Sequence, residues 1–405
     1  MRGRGAPFLA RGVLAAWGAV LVLPGATRAQ DTPPQASAPD EPSTPDEPST
    51  PATEDPSTEG AADEGSGFRW RRVELGGRAI VRAQTLREDG ASESDVSAEN
   101  ARLTLRWRPA RWLRGELEYD VAENRRLRDA FVRVRRESFA VQGGQFKPPV
   151  SVIEMDSRWD LPASERGLLS EILVDALGIA GRRPGVEASY RPGGGDVTAR
   201  VGVFRASSVR GDRIGDEAFD NFAKDWALKA TGRVSWQRRR LELGLAGDWR
   251  PAEPRPGEGY ERFWTASADA SWSEKPRRGG FRLWAEGFVG SSWQDANAFD
   301  GQTATFVAGR GLGAWRHGGR KRSAFYVEPY AMVSLFDPDT SVREDLLWEL
   351  AGGVNVGSWR RLRVTLEAQH RGVGRNAPLS LGLFAFSTPP PVSRTKLIVQ
   401  LGGAF

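Results

Sequence analysis

Arginine and the carboxylates are the residues of this 405-residue chain that could do chemistry, and they recur at alternate positions rather than in compact clusters. Arg102, Thr104 and Arg106 alternate with Leu103, Leu105 and Trp107. Arg114, Glu116, Glu118 and Asp120 alternate with Leu113, Gly115, Leu117, Tyr119 and Val121. Guanidinium groups in such rows suit the recognition of phosphate or carboxylate, because the planar fork matches a pair of oxygens. The groups that most catalysis needs are scarce. Cysteine is absent and only two histidines occur, His317 and His370. No GxSxG elbow, Walker loop or HExxH helix is present. Gly309-Arg310-Gly311-Leu312-Gly313 is glycine-rich, yet it falls inside an alternating stretch and opens no helix, so phosphate cradling is not expected. The sequence therefore predicts no enzyme, no cofactor, no metal site and no nucleic-acid partner.

Residues that alternate must be positioned by strands, whose side chains point to opposite faces with period two. Val73–Thr85 alternates in this way, as do the stretches around Leu103–Trp107 and Leu113–Val121. Further segments recur near 129–136, 139–146, 185–191, 197–205, 226–236, 241–250, 262–272, 281–290, 303–315, 324–335, 349–358, 362–371 and 395–405, sixteen strands in all. Their connections sort by parity. Short ones (108–111, 136–138, 192–195, 237–240, 273–280, 316–322, 358–361) alternate with longer ones (86–98, 122–127, 147–184, 206–225, 251–261, 291–302, 336–348, 372–394). Outer-membrane barrels have this organisation, with tight periplasmic turns, longer outer loops and an even strand count. Trp107, Trp112, Phe139, Tyr190, Trp236, Trp272, Trp315 and Trp359 mark the short turns, as a girdle at headgroup level would. The fold class expected is all-β: a transmembrane antiparallel up-and-down β-barrel of about 16 strands in the bacterial outer membrane, with its lipid.

Bulk composition agrees. Only 39% of residues are hydrophobic, yet there are 15 Trp and 18 Phe, and mean hydropathy is −0.47. A barrel is built this way, since only alternate positions need face lipid. Residues 1–29 read as a signal peptide, with Arg2, Arg4 and Arg11 ahead of the apolar run Val13–Leu23 and small residues before Gln30. That run is too short for a spanning helix, which needs about 20 residues. Residues 30–67 hold ten acids, no Lys or Arg and a repeated DEPST element, the composition of a disordered tether. Residues 68–405 are the predicted barrel, and they carry the basic excess, which favours anionic partners.

A sixteen-stranded barrel encloses an aqueous channel. The strand positions predicted to face it include Arg78, Arg82, Arg102, Arg106, Arg133 and Arg135, and rings of such groups favour anions. Acids such as Glu116, Glu118, Asp120, Glu286 and Glu367 share the same face, so a general pore with opposed charges fits these residues equally well. The longest connection, 147–184, is the candidate for folding inward. Its Lys147, Arg158 and Arg166 would then meet a solute, or be anchored by the acids around them. A barrel plugged by its loops, with the tether engaging a periplasmic partner, is the alternative from a different class.

Several motifs resemble a known family. Leu127-Arg128-Asp129-Ala130-Phe131-Val132-Arg133 is followed by Gly143-Gly144-Gln145-Phe146-Lys147-Pro148-Pro149-Val150-Ser151-Val152-Ile153-Glu154. Ser157-Arg158, Ser164-Glu165-Arg166-Gly167-Leu168, Arg183-Pro184-Gly185-Val186 and, later, Gly353-Val354-Asn355 continue in order. These resemble the phosphate-selective porin O and P family, most clearly over residues 127–190. The resemblance implies a sixteen-stranded homotrimeric porin selective for small anions. It also implies that Lys147, Glu154, Arg158, Glu165 and Arg166 occupy the family's motif.

Overall fold

The computed structural model describes residues 68–70, 72–88, 90–122, 126–206, 228–251, 262–274, 280–292, 304–318, 325–358, 362–377 and 392–404. The expected signal peptide and tether lie outside these residues, as do nearly all of connections 206–225, 251–261 and 291–302, residues 378–391 of connection 372–394, and Trp359. The chain forms β1 (Phe68–Trp70), β2 (Val73–Glu88), β3 (Ala91–Ala110), β4 (Leu113–Asp120), β5 (Arg126–Arg136) and β6 (Phe139–Phe146). Next come β7 (Arg183–Tyr190), β8 (Val197–Arg205), β9 (Leu228–Arg238), β10 (Leu241–Pro251), β11 (Arg262–Ser273) and β12 (Gly280–Ser292). The last are β13 (Ala304–Gly318), β14 (Phe325–Asp337), β15 (Leu347–Ser358), β16 (Leu362–Val373) and β17 (Val392–Ala404).

Strands β2 to β17 pair antiparallel with their chain neighbours, and β17 returns to β2 from Ala404↔Arg78 to Arg394↔Glu88. That last ladder closes sixteen strands into a barrel. The three residues of β1 pair with Val73–Leu75 of β2, filling the row below the point where β17 stops. Closure removes every sheet edge over the paired span, which is what allows strands to cross a bilayer. No described helix is long and apolar enough to do so.

Alternation turns the chain inside out relative to a water-soluble protein. On β3, Arg102 is 7% exposed and its neighbour Leu103 is 47% exposed. Along β14, every second residue from Tyr326 to Phe336 is buried, and Phe325, Val327, Val333 and Leu335 are exposed. Apolar side chains face outward and charged ones inward because the outer solvent is lipid. Exposed Trp107, Trp112, Phe139, Tyr190, Trp272 and Trp315 stand near the short turns, and Trp249 and Trp264, opposite one another on β10 and β11, stand at the other end.

One expected connection is not a loop. Residues 86–98 belong almost wholly to β2 and β3, which run on to a tight turn where Gly90 adopts φ +88°. Ala91–Val96 are exposed on both faces. The hairpin continues past the apolar band, and alternation of one polar residue with another left no pattern from which a strand could be read.

Candidate pore constriction

The connection between β6 and β7 turns into the barrel. It carries two short helices, α1 (Val152–Met155) and α2 (Leu168–Glu171), then a π-turn over Ile172–Ala176. Ser151 caps α1 by accepting from the Glu154 amide at 3.1 Å. Gly167 precedes α2 with φ +75°, and a Cβ there would meet the Glu349 carboxylate at 2.2 Å. Only glycine fits that approach.

Apolar packing holds this segment to one side of the barrel. Leu168, Leu169, Ile172, Leu173, Leu177 and Ile179 form a core with inward-facing Phe288, Phe306, Phe336, Leu347 and Val373 of β12 to β16. Val152, Ile153, Leu161 and Ala163 form a second with Trp284, Leu312, Tyr330 and Met332. This docking surface was not among the sequence-derived candidates. The signal for it is that β12 to β14 carry large apolar residues on both faces, so period two weakens there.

Ionic and backbone contacts reinforce the docking. Arg310 of β13 donates to Glu286 and to the Arg166 carbonyl, and pairs with Glu154 at 3.2 Å. Ser151 Oγ donates to Glu286 at 2.7 Å, and Ser164 donates to Glu367 through N and Oγ at 2.8 Å each. The Leu168 amide donates to Glu349 at 3.1 Å, while Arg371 joins Glu349 to Glu171. Arg363 donates to the Trp159 and Leu161 carbonyls, and Asn355 to that of Pro162. Lys229 on β9, fully buried, reaches the Ile179 carbonyl at 2.6 Å and Asp248 at 3.0 Å.

The nine candidate cations divide between two settings. Arg82 meets Glu165 at 2.5 Å and Glu99 at 2.9 Å, and Arg158 meets Glu99 at 2.6 Å. Glu99 is the extra residue of a β-bulge, since Ile80 opposes Asn100 and Val81 opposes Ala98; bulges re-aim side chains in this way. Lys396 adds a third cation to Glu165 at 2.8 Å. Burial opposes ionisation of Glu165, but Lys396, Arg82 and Arg158 outweigh it and hold the carboxyl well below the usual range. Lys147 donates to the Met155 and Asp156 carbonyls, and Arg166 to those of Ile153 and Asp156. These two cations organise the segment's own backbone.

Of the remaining candidates, Arg78 donates to Ser157 Oγ of the segment at 2.8 Å, and Arg102, Arg106, Arg133 and Arg135 lie on β3 and β5. Arg78 and Arg102, opposite in register, share Glu118 at 3.5 and 3.0 Å, and Arg102 also binds Asp120 at 3.0 Å. Arg106 and Arg114 share Glu116 at 3.2 and 2.6 Å. Arg133 stands opposite Arg114 on one side and Gln142 on the other, with Arg135 two residues further along the same face. Arg133 and Arg135 are half-buried, while Val132 and Val134 between them are exposed. Arg200 of β8 reaches the docked segment, its Nη1 lying 3.9 Å from the Met155 sulfur. Like charges placed directly opposite on a sheet repel, and here the Arg78–Arg102 pair is bridged by Glu118 while Arg114, opposite Arg133, is held by Glu116. Burial, with Arg166 and Arg182 nearby, pushes the Lys147 ammonium well below its usual range. This places the same sign of crowding on the segment's own edge.

Comparison with known proteins agrees with this geometry. Residues 55–235 match the family model described as phosphate-selective porin O and P. No curated protein matches the sequence. Among solved structures, the chain is similar to an anion-selective porin from Comamonas acidovorans, at 14% identity and TM-score 0.55, covering 82% of this chain and 99% of that one. It is also similar to Pseudomonas putida OprB, at 9% identity and TM-score 0.58, covering 82% and 94%. Salmonella typhi OmpF in complex with daunomycin matches at 11% identity and TM-score 0.53, covering 82% and 97%. At these identities the structures speak to the fold alone. Together with the inverted burial and the closed sixteen-strand ladder, they show a bacterial outer-membrane β-barrel of porin fold, in which residues 55–235 match the phosphate-selective porin O and P family model.

Proposed function

We propose that this porin conducts small anions, phosphate among them, along the arginine wall of β3 to β8 and past the edge of the docked segment. The observation that carries the reading is the juxtaposition of like charges: Arg114 opposite Arg133, with Arg135 on the same face and Lys147 crowded by Arg166 and Arg182. An anion passing there meets several guanidinium groups at once, and they replace part of its hydration. The family match and the resemblance to an anion-selective porin support the same direction. Transport in this reading is diffusion down a gradient with no bond made or broken. Residues 1–29 serve for export, 30–67 as a tether, and the functional unit is a homotrimer.

The test is the reversal potential of the purified protein in a planar bilayer under a chloride gradient, followed by titration with phosphate. An anion-selective potential, with chloride current blocked by low phosphate, is expected. A cation-selective or unselective potential untouched by phosphate would overturn the selectivity and leave a general pore. Absence of conductance would mean that the docked segment seals the lumen.

A further inference from the structure

His370 has no part in the lumen. It lies on the outward face of β16, where its Nδ1 is 2.9 Å from Thr395 Oγ1 and its ring is 5.2 Å from that of Trp348. Trp348 leans over Gly372, where a Cβ would meet the indole at 2.4 Å, so the absence of a side chain there lets the two rings meet. Cross-strand register extends this group into a row around the barrel seam. Leu350 opposes His370, His370 opposes Thr395, Thr395 opposes Arg87 and Arg87 opposes Ser92. Arg87 is exposed, and among the described residues no carboxylate pairs with it.

Below this polar row the wall becomes apolar and recessed. A groove of about 630 Å³ is floored by Gly352 and Ala368 and walled by Leu366, Leu397, Val399 and Val96. Its upper margin is the Thr85–Ser94 hydroxyl pair at 3.0 Å. The height fits a membrane boundary. Leu362, beside a short turn, lies eight steps from His370. At ~3.4 Å per residue and ~40° tilt, this is about 21 Å of height. The apolar band of such barrels is roughly 25 Å tall, so the row lies near its upper edge and the groove faces acyl chains.

We propose that this seam binds one phosphate-bearing lipid, its phosphate held by Arg87 and His370, with Thr395 orienting the imidazole, and an acyl chain lying in the groove beneath. The Arg87 guanidinium, with no acid partner among the described residues, supplies the charge, and the imidazole, accepting from the Thr395 hydroxyl at Nδ1, presents Nε2–H as a donor. The apolar lining excludes a soluble anion as the full ligand, and the charged row above it distinguishes this stretch from the plain lipid-facing wall. The site is independent of any anion path through the lumen.

The experiment is native mass spectrometry of the full barrel released from micelles doped with phosphatidic acid or with phosphatidylcholine of the same chains. One phosphatidic acid per chain should be retained, about fivefold over phosphatidylcholine, the effect of a basic residue near a charged headgroup. Arg87→Ala with His370→Ala should remove that preference. Gly352→Leu should fill the groove and lower retention of the phosphatidic acid; a Cβ at this position has only the Tyr330 carbonyl within reach, at 3.7 Å. Heat-modifiable electrophoretic mobility confirms that each variant is folded. Equal retention of both lipids, or retention unchanged by the three substitutions, overturns the proposal. Disulfide cross-linking between copies through Leu397→Cys would also overturn it, by showing that a second chain covers the groove.

Discussion

The two sides of the barrel interior solve opposite problems. On β12 to β16 the inward residues are large and apolar, interspersed with acids that each find a donor from the docked segment: Glu286 with Ser151, Glu349 with Leu168, Glu367 with Ser164. This wall is finished as a protein interior, close-packed and internally paired. On β3 to β8 the inward residues are arginines that outnumber their acids in places, half-buried and opposed to one another. That wall is charged throughout, its arginines paired with Glu116, Glu118 and Asp120 on the strands and met by Arg182 of the segment at Glu118 and Asp129. If anions pass along that second wall, as proposed, one flank seats the docked segment and the other lines the path, so stability and selectivity reside on different strands.

The largest test of this division falls on the seating flank. Arg310→Ala strips the guanidinium that joins Glu286, Glu154 and the Arg166 carbonyl. Removing one partner of a buried pair costs about 3–5 kcal/mol. The segment should detach, read as protease cleavage within 147–182 and as larger, noisier conductance. The matching change on the other flank, Arg133→Glu with Arg135→Glu, should leave thermal stability nearly unaltered. It should move the reversal potential toward cations by about tenfold in permeability ratio, or ~1.4 kcal/mol. If instead it unfolds the barrel, or if Arg310→Ala changes selectivity but not protease resistance, the separation of roles fails.

A smaller effect sharpens the seating itself. Asp156 accepts from Trp284 Nε1 at 2.9 Å, and burial followed by the nearby Asp160 pushes its carboxyl up to about 6. A carboxyl raised above its unfolded value binds its proton more readily in the folded state, so its penalty appears as pH rises through the range from 4 to 6. Glu165 has the opposite shift: its contribution is fully present above the usual carboxylate range and is lost only in strong acid. The segment should therefore be held more tightly at pH 5 than at pH 7. Proteolysis of the segment should rise over that interval in the wild type and stay flat in Asp156→Asn.

Much of this architecture was legible in the sequence because its decisive pattern is local. Period two assigns Arg102 inward and Leu103 outward with no knowledge of the rest of the chain, and turn parity orders the strands. Two things escaped for physical reasons. Around Gly90 the β2–β3 hairpin places polar residues on both faces, and it offers no contrast to read. The docking flank depends on contacts between residues such as Ser164 and Glu367, about two hundred positions apart. Its inward Phe306 and Phe336 have outward neighbours that are also apolar, so parity cannot say which of them face the lumen. Parity assigns the strand cations a face; which of the cations the segment's carboxylates and carbonyls engage depends on that same long-range fit.

The ladder between β17 and β2 joins Ala404 to Arg78, almost the whole length of the barrel apart in the chain. Loop-closure entropy rises with the logarithm of that separation, and pairings so distant in sequence form late. Strand β2 would otherwise wait with its entire outer edge bare, an invitation to mispairing. The three residues of β1, folded back on Val73–Leu75 within a local hairpin, occupy the lower end of that edge from the outset. They limit where the last strand can enter, and so help set the register in which the ring is sealed.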